Sequence, residues 1–380
     1  MRVPFNKPGL AGRELEYISE AVLSGHTSSG GTYTRRVEDI LKSFFGSEDV
    51  LLTTSCTDAL EMAAMLIDLG PGDVVMMPSF TFSSTATAFA RTGAKIRFCD
   101  IEPTHLGLDV NCVAERISPD VKALVTVHYA GVAGDVEGLA AVAGEAGVPL
   151  VEDNAHGLFA LQNGKKLGTF GELSTLSFHE TKNFICGEGG ALVVNDQKYV
   201  DRAHILLDKG CNRRQFLEGQ ADKYTWQGAG SSFGLSEILS AFLLAQLEER
   251  VTIASKRRSA HQYYSELLAP VAHQLGLTLP FYRTEDVQAD HMFYVLLPVD
   301  VDRKTLIESM NADEVFPTFH YIPLHSAPAS KEFADDDFAC PVTDDVSNRI
   351  LRLPFFNDIT SSMQERVISS LLKGIERAKT

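Results

Sequence analysis

Between residues 50 and 195 the chain repeats one pattern: a short, nearly continuous apolar run, then a segment with helical spacing, then another apolar run. The runs are Val50–Thr53, Val74–Met77, Lys95–Cys99, Ala123–Val127, Pro149–Glu152, Leu173–Phe178 and 191–195, and residues 58–69, 83–92 and 135–147 carry the helical pattern. Strands without polar alternation are strands covered on both faces. The pattern therefore predicts an α/β fold with a mostly parallel sheet between helices. Such sheets bind ligands beyond the carboxyl ends of their strands. Polar residues collect there: Thr57-Asp58, Ser79 to Phe82, His128-Tyr129, Asp153 with His156, and Ser177 with Lys182.

The flanking segments complete the frame. Leu15, Ile18 and Val22 mark one face of a helix over 13–24, and Val37, Ile40, Leu41 and Phe44 mark a second that Gly46 ends. Residues 210–233 follow no period, as in a functional or interface loop. A long helical region over 235–268 leads to a linker around Pro270, which sets a domain boundary near residue 250. Residues 1–250 then form the large domain and 251–380 a small α+β domain. The latter is expected to hold strands Met292–Val299 and Phe316–Tyr321 and helices 303–311 and 360–378.

Composition narrows the function. Against 34 Lys and Arg stand 50 Asp and Glu, a net charge of −16. That field disfavours non-specific binding to nucleic acid or anionic membrane. The six cysteines are scattered without metal-ligand spacing, as in a reduced protein. No apolar run approaches the roughly 20 residues of a membrane span, and the start lacks a signal-peptide pattern. These features predict a cytoplasmic protein with no metal.

Lys182 is the chemically suggestive residue. It follows an apolar run, sits in Ser177-Phe178-His179-Glu180-Thr181-Lys182-Asn183 and precedes Gly187-Glu188-Gly189-Gly190. A lysine amine attacks carbonyls only when deprotonated, which partial burial promotes. Most lysines after a strand are simply solvated. If Lys182 holds pyridoxal 5′-phosphate, the cofactor's ring nitrogen needs a carboxylate partner. Asp153 can be that partner, or can cap the next segment. Thr57 and the backbone of Asp58 open a helix suited to a phosphate, or form an ordinary N-cap. Ser177 can add a donor, Phe82 or Phe80 can stack on the ring or fill the core, and His156 can stand beside it.

With these motifs the chain resembles the DegT/DnrJ/StrS-type sugar-nucleotide aminotransferases, pyridoxal-phosphate enzymes of fold type I. The resemblance covers nearly the whole chain: Phe5-Asn6, Ser55 to Ala59, Pro78 to Phe82, Glu152-Asp153, Ser177 to Gly190 and Tyr321-Ile322-Pro323-Leu324-His325. Asp222-Lys223-Tyr224-Thr225-Trp226 and Phe319 to His325 liken it to the dTDP-4-amino-4,6-dideoxygalactose transaminase branch. The resemblance implies that Lys182 bonds the cofactor and moves protons, and that Asp153 holds the ring nitrogen. It also implies that Phe82 stacks on the ring, with His156 nearby, and that Thr57, Asp58 and Ser177 hold the phosphate. It further implies a homodimer with shared sites, in which Ser232 reaches the neighbour's phosphate. Many members carry Asn in place of Ser232. The substrates implied are L-glutamate and the C4 keto group of a dTDP-4-keto-6-deoxyhexose, with Arg213, Tyr321 and His325 toward the sugar nucleotide. A 3-ketosugar aminotransferase, a sugar dehydratase and a non-catalytic relative are the alternatives. Lysine at 182 speaks against the dehydratase, whose members have histidine there. The absence of GxGxxG speaks against a nicotinamide enzyme.

Overall fold

A computed structural model describes residues 2–379. Its strands are β1 Asp49–Thr53, β2 Val74–Pro78, β3 Lys95–Cys99, β4 Val121–Val127, β5 Leu150–Asp153, β6 Leu161–Gln162, β7 Lys165–Lys166, β8 Leu173–Ser177, β9 Gly190–Val194, β10 Tyr294–Leu296 and β11 Ile350–Arg352. Seven of them form one sheet in the order β1-β9-β8-β5-β4-β2-β3. Only β9 runs against its neighbours, β1 and β8. The β2–β3, β2–β4, β4–β5 and β5–β8 pairs are all parallel.

The period of two along each strand divides the core. Leu51, Val75, Val125, Val151 and Leu192 face one layer with helices Cys56–Leu66 and Ser83–Ala90. Val50, Leu52, Leu176 and Val193 face the other, against helices Thr32–Phe45 and Glu237–Glu248. Fully buried side chains of this size each contribute roughly 1.5–3 kcal/mol, which is why both faces must be covered.

Buried carboxylates tie the layers. Glu152, on β5, accepts from the N–H groups of Gly168 at 2.7 Å, Phe170 at 2.7 Å and Gly171 at 2.8 Å, and contacts His128 Nε2 at 2.8 Å. Glu237 accepts from the N–H groups of Tyr33 at 2.9 Å and Thr34 at 2.8 Å, at the open end of helix Thr32–Phe45. It thereby satisfies donors that no residue within that helix can reach.

Several sequence expectations are corrected. The first helix, Glu14–Leu23, buries Glu14, Tyr17 and Ala21, while Leu15 and Val22 face outward. Here a buried carboxylate, which accepts from the N–H groups of Ala11 and Gly12, and a tyrosine outweigh aliphatic spacing. The region 235–268 is two helices, Glu237–Glu248 and Arg250–Leu275, and Pro270 lies inside the second instead of in a linker. The strand expected at Met292–Val299 shrinks to β10. Phe316–Tyr321 is no strand: it is extended chain joined to β11 through a single bridge, Thr318 to Arg352. Pairing with the free edge of β11 stops at that one residue, with N–H to O distances of 2.7 and 3.0 Å.

A second core gathers Val3 with Ala260, Tyr264, Phe293, Leu306, Leu351, Val367 and Leu371. We propose the domain boundary near residue 250, supported by the break between the two helices at Glu249. Among the described residues no helix is long and apolar enough to cross a membrane.

Candidate active site

The carboxyl ends of β4, β5 and β8 and the turn after β1 open into one cavity of about 450 Å³. Of the residues singled out in the sequence, Thr57, Phe82, Asp153, His156, Ser177, Lys182 and Tyr321 line it together. They come from segments up to 264 positions apart, from Thr57 to Tyr321.

Lys182 sits on a loop pinned at both ends. Phe178 N–H donates to Gly189 O at 2.8 Å, Cys186 N–H to Phe178 O at 2.9 Å, and Lys182 N–H to His179 O at 2.9 Å. The glycines of the motif have distinct duties. Gly187 adopts φ +92°, a left-handed conformation that suits glycine. At Gly190 a Cβ would lie 2.4 Å from Cys56 N, so only glycine lets β9 approach the helix that begins there. Burial lowers the Lys182 ammonium to about 8, with Arg352 adding to the effect and Cys56 and Asp153 opposing it.

Asp153 ends β5 and is 6 % exposed. Burial raises its carboxyl above the usual range, opposed by the Thr85 hydroxyl, the Ala155 N–H and the charge of Lys182. Thr85 Oγ1 donates to it at 2.8 Å and Thr81 Oγ1 contacts Thr85 Oγ1 at 2.8 Å. His156 is buried and stacked on His291, ring centroids 4.2 Å apart at 15°. Burial and the nearby cations hold its imidazole well below its ordinary pKa, and its Nδ1 has no partner. His291 Nδ1 in turn meets Asn183 Oδ1 at 2.8 Å, while Asn183 Nδ2 donates to Ala289 O. The residue after Lys182 is thus tied to the histidine pair.

Hydroxyls cluster at the start of helix Cys56–Leu66. Thr57 Oγ1 donates to Ser84 Oγ at 2.9 Å, and Ser55, Ser84 and Ser177 line the same wall. Phe82, 58 % exposed, presents its ring at the opening, 6.1 Å from Tyr321.

Four predicted residues lie outside the lining. Asp58 N–H is taken by Ser55 Oγ at 3.0 Å, so here the backbone donor serves as an ordinary cap. His325 Nδ1 contacts Ser79 Oγ at 2.7 Å and its Nε2 lies 3.6 Å from Asp344. Arg213 stands on the surface beside Asp208, 3.7 Å away, and Ser232 is exposed and bridged to Asp208. Conversely, the sequence reading missed Cys56, Thr85, His291, His320 and Arg352. Thr85 follows Phe82 by three positions, a helical turn that would have brought it to the same wall. His291 and Arg352 carry no local signal, since only the tertiary fold brings them near Lys182.

The model of the DegT/DnrJ/EryC1/StrS aminotransferase family matches residues 9–372. A dTDP-4-dehydro-2,3,6-trideoxy-D-glucose 4-aminotransferase of Saccharopolyspora spinosa is 28% identical over 98% of this chain and 97% of its own. Among solved structures, the aminotransferase TlmJ of Streptoalloteichus hindustanus superposes with a TM-score of 0.89 at 28% identity, over 99% of both chains. The 3-amino-5-hydroxybenzoic acid synthase superposes with a TM-score of 0.90 at 25% identity over 100% of both.

Proposed function

The chain belongs to the DegT/DnrJ/EryC1/StrS aminotransferase family, whose members use pyridoxal phosphate, and from that premise we propose that it aminates C4 of a dTDP-4-keto-6-deoxyhexose with L-glutamate as donor. The product is a dTDP-4-amino-4,6-dideoxyhexose. The observation that carries the chemistry is the convergence of Lys182 and Asp153 on one cavity beside a wall of hydroxyls. Support for the sugar nucleotide comes from the Saccharopolyspora relative, named for a dTDP-sugar and for position 4, and from the Phe319 to His325 motif.

The donor set fits the cofactor. A buried carboxylate at Asp153 suits a ring nitrogen, Ser55, Thr57, Ser84 and Ser177 suit a phosphate at a helix start, and the orphaned His156 Nδ1 lacks a partner that a ring substituent can supply. Lys182 is the residue to hold the aldehyde and Phe82 the ring to cover it. Pyridoxal phosphate, when bound, supplies an electron sink for the carbon that loses a proton. The protein's part is proton placement. With its ammonium lowered to about 8, Lys182 Nζ exchanges protons near neutral pH in both half-reactions, taking one from the donor carbon and returning one to the sugar carbon. Neutral His156 and His291 add no charge to compete with Asp153. Two copies of the chain are proposed to share their sites, with the exposed Ser232 reaching the neighbouring cavity. Sugar-nucleotide contacts are assigned to Tyr321, Arg213 and His325; the last two require that the diphosphate end extend beyond the cavity.

Spectroscopy and product analysis test this reading. The loaded protein is expected to be yellow, to lose the band on borohydride reduction and to convert to the pyridoxamine form with L-glutamate; Lys182→Ala should show no such band. A protein unable to take up pyridoxal phosphate would refute the cofactor assignment, and no spectral change with glutamate would refute the donor. Products from 4-keto and 3-keto sugar nucleotides decide the position of amination.

A further inference from the structure

His156 is held in place by rings. Its face lies on His291, centroids 4.2 Å apart at 15°, and Tyr129 meets it nearly edge-on at 6.0 Å. Its Nδ1 has no partner among the described residues. The tilt of this imidazole is therefore set by its neighbours, above all by the ring it stacks on. His291 is fixed at two points. Arg257, itself buried, donates Nε to Asp290 O at 3.0 Å and Nη2 to His291 O, which holds the backbone. Asn183 holds the ring: its Oδ1 lies 2.8 Å from His291 Nδ1, while its Nδ2 donates to Ala289 O at 2.6 Å. A carbonyl can only accept, so the amide nitrogen of Asn183 faces Ala289 and the amide oxygen faces the imidazole. His291 Nδ1 then carries the ring proton. The ring is neutral, because burial and the neighbouring His156, Lys182, Arg257 and Arg352 push it well below its ordinary pKa. Two neutral rings can lie face to face where two imidazolium ions would repel. Asn183, His291 and His156 are each 7 % exposed or less, so solvent does not compete for these contacts.

Both histidines line the cavity with Lys182, whereas Asn183 lies outside the lining. Of the hydrogen-bonding groups on pyridoxal phosphate, the aldehyde is assigned to Lys182, the ring nitrogen to Asp153 and the phosphate to the hydroxyl wall. The ring hydroxyl is left, and His156, with its unpartnered nitrogen, is the side chain suited to it. We propose that Asn183 is the positioning residue for that contact: through His291 it sets the orientation of His156, and so how firmly the ring hydroxyl is held. This rests on the pyridoxal-phosphate reading above. A residue that merely pinned the lysine loop would need only the bond to Ala289 O. The second bond, from His291 to the Asn183 oxygen, is the one that reaches the site. The chain thus places the lysine and the brace for His156 at adjacent positions, 182 and 183.

The test compares the unaltered protein with Asn183→Ala, His291→Phe and the double variant, using thermal unfolding as the folding control. Each is titrated with pyridoxal 5′-phosphate and with 3-deoxypyridoxal 5′-phosphate, which keeps the aldehyde, ring nitrogen and phosphate but lacks the ring hydroxyl. Loss of a positioned hydrogen bond should weaken pyridoxal phosphate by about tenfold in each single variant. The deoxy analogue should bind every variant within about threefold of the unaltered protein, since it has no hydroxyl to lose. His291→Phe keeps an aromatic face but cannot bond Asn183, so its loss separates the bond from the stacking alone. The double variant should bind no more weakly than either single one, within about twofold, because both residues act along one path. Equal weakening of both ligands would make Asn183 a pin for the lysine loop and overturn the proposal. So would unchanged affinity in either single variant, or losses that add in the double one. If Asn183→Ala does not fold, His291→Phe decides by itself: selective loss of pyridoxal phosphate sustains the proposal, and equal or no loss overturns it. An unaltered protein that takes up neither ligand would defeat the cofactor reading and this inference with it.

Discussion

At the scale of residues the site is a balance between burial and charge. Lys182 loses stability on entering the fold protonated, because its pKa of about 8 lies below that of the unfolded chain, near 10.5. Between those values the unfolded state binds more protons, so stability attributable to Lys182 rises with pH from about 8 to 10.5. Below pH 8 the penalty is constant. The cofactor-free Lys182→Met variant should therefore be more stable than wild type at pH 7, by about 1–3 kcal/mol. The gap should narrow as pH passes 8. Denaturant melts at pH 7 and pH 9.5 measure it, and a gap that widens with pH would reverse the sign of the argument. Asp153→Asn keeps the shape of the side chain and one oxygen to accept from Thr85, but removes the charge and the acceptor for the Ala155 N–H. Its expected effect is a fall in kcat of about 10²-fold or more, with cofactor still bound, read from steady-state kinetics.

Lys182 and Asp153 were legible in the sequence because each ends or follows a buried strand, and the parallel-sheet rule places such positions at one edge. Asp58 illustrates the limit. Its position at a helix start was readable, yet whether its N–H meets a ligand or Ser55 Oγ depends on a side-chain rotamer. Arg352 was hidden for another reason. In the linear pattern it is one charged residue among apolar ones, and only the pairing of β11 with β10 and Thr318 turns it inward.

At the scale of elements, carboxylates do what repetition in the sequence cannot announce. Glu152 precedes Asp153 and was readable only as part of the same strand. In the fold the two point to opposite sides, Asp153 into the cavity and Glu152 into the loop 168–171, as adjacent strand residues must. Glu152→Ala would leave three buried N–H groups and His128 without their acceptor. The expected loss is about 3–5 kcal/mol, with a lower midpoint in thermal unfolding of the cofactor-free protein. A loss below about 1 kcal/mol would mean that water replaces the carboxylate. The same reasoning explains the misjudged first helix. Glu14 accepts from Gly12 N–H at 2.8 Å and is tied to Gln246, so its face turns inward despite its charge. Periodicity reports hydrophobicity and cannot weigh a satisfied buried carboxylate against an exposed leucine. The second unit was the least legible for a related reason. Its strands have three residues each, too short to establish a period.

At the scale of the molecule, apolar side chains stand in solvent along one stretch. Trp226 is 80 % exposed, Leu217 70 %, and Tyr224 and Phe216 are also exposed, all between residues 213 and 232. The sole tryptophan of the chain thus reports on that loop. If two copies cover it, as the shared-site reading requires, sedimentation should give twice the 41.5 kDa of one chain. Its fluorescence should shift to the red on dilution as the ring meets water. Trp226→Asp should then yield monomers, with activity lost in parallel. A monomer at all concentrations, still active, would defeat the shared-site reading.

The first residues of the chain belong spatially to its last third. Val3 is fully buried in the second core, its N–H donates to Glu314 O at 2.9 Å, and Phe5, whose carbonyl receives the Phe355 N–H, lies under the Arg352 guanidinium. A ribosome delivers the seven-stranded sheet long before it delivers residues 314–355. The N-terminal segment must therefore wait, unpaired, through most of synthesis, and the floor beneath Arg352 is laid only when the chain is nearly finished. The fold thus completes this wall of the cavity only as translation ends, so an incomplete chain can have the sheet and the lysine while lacking the contacts that seat Phe5.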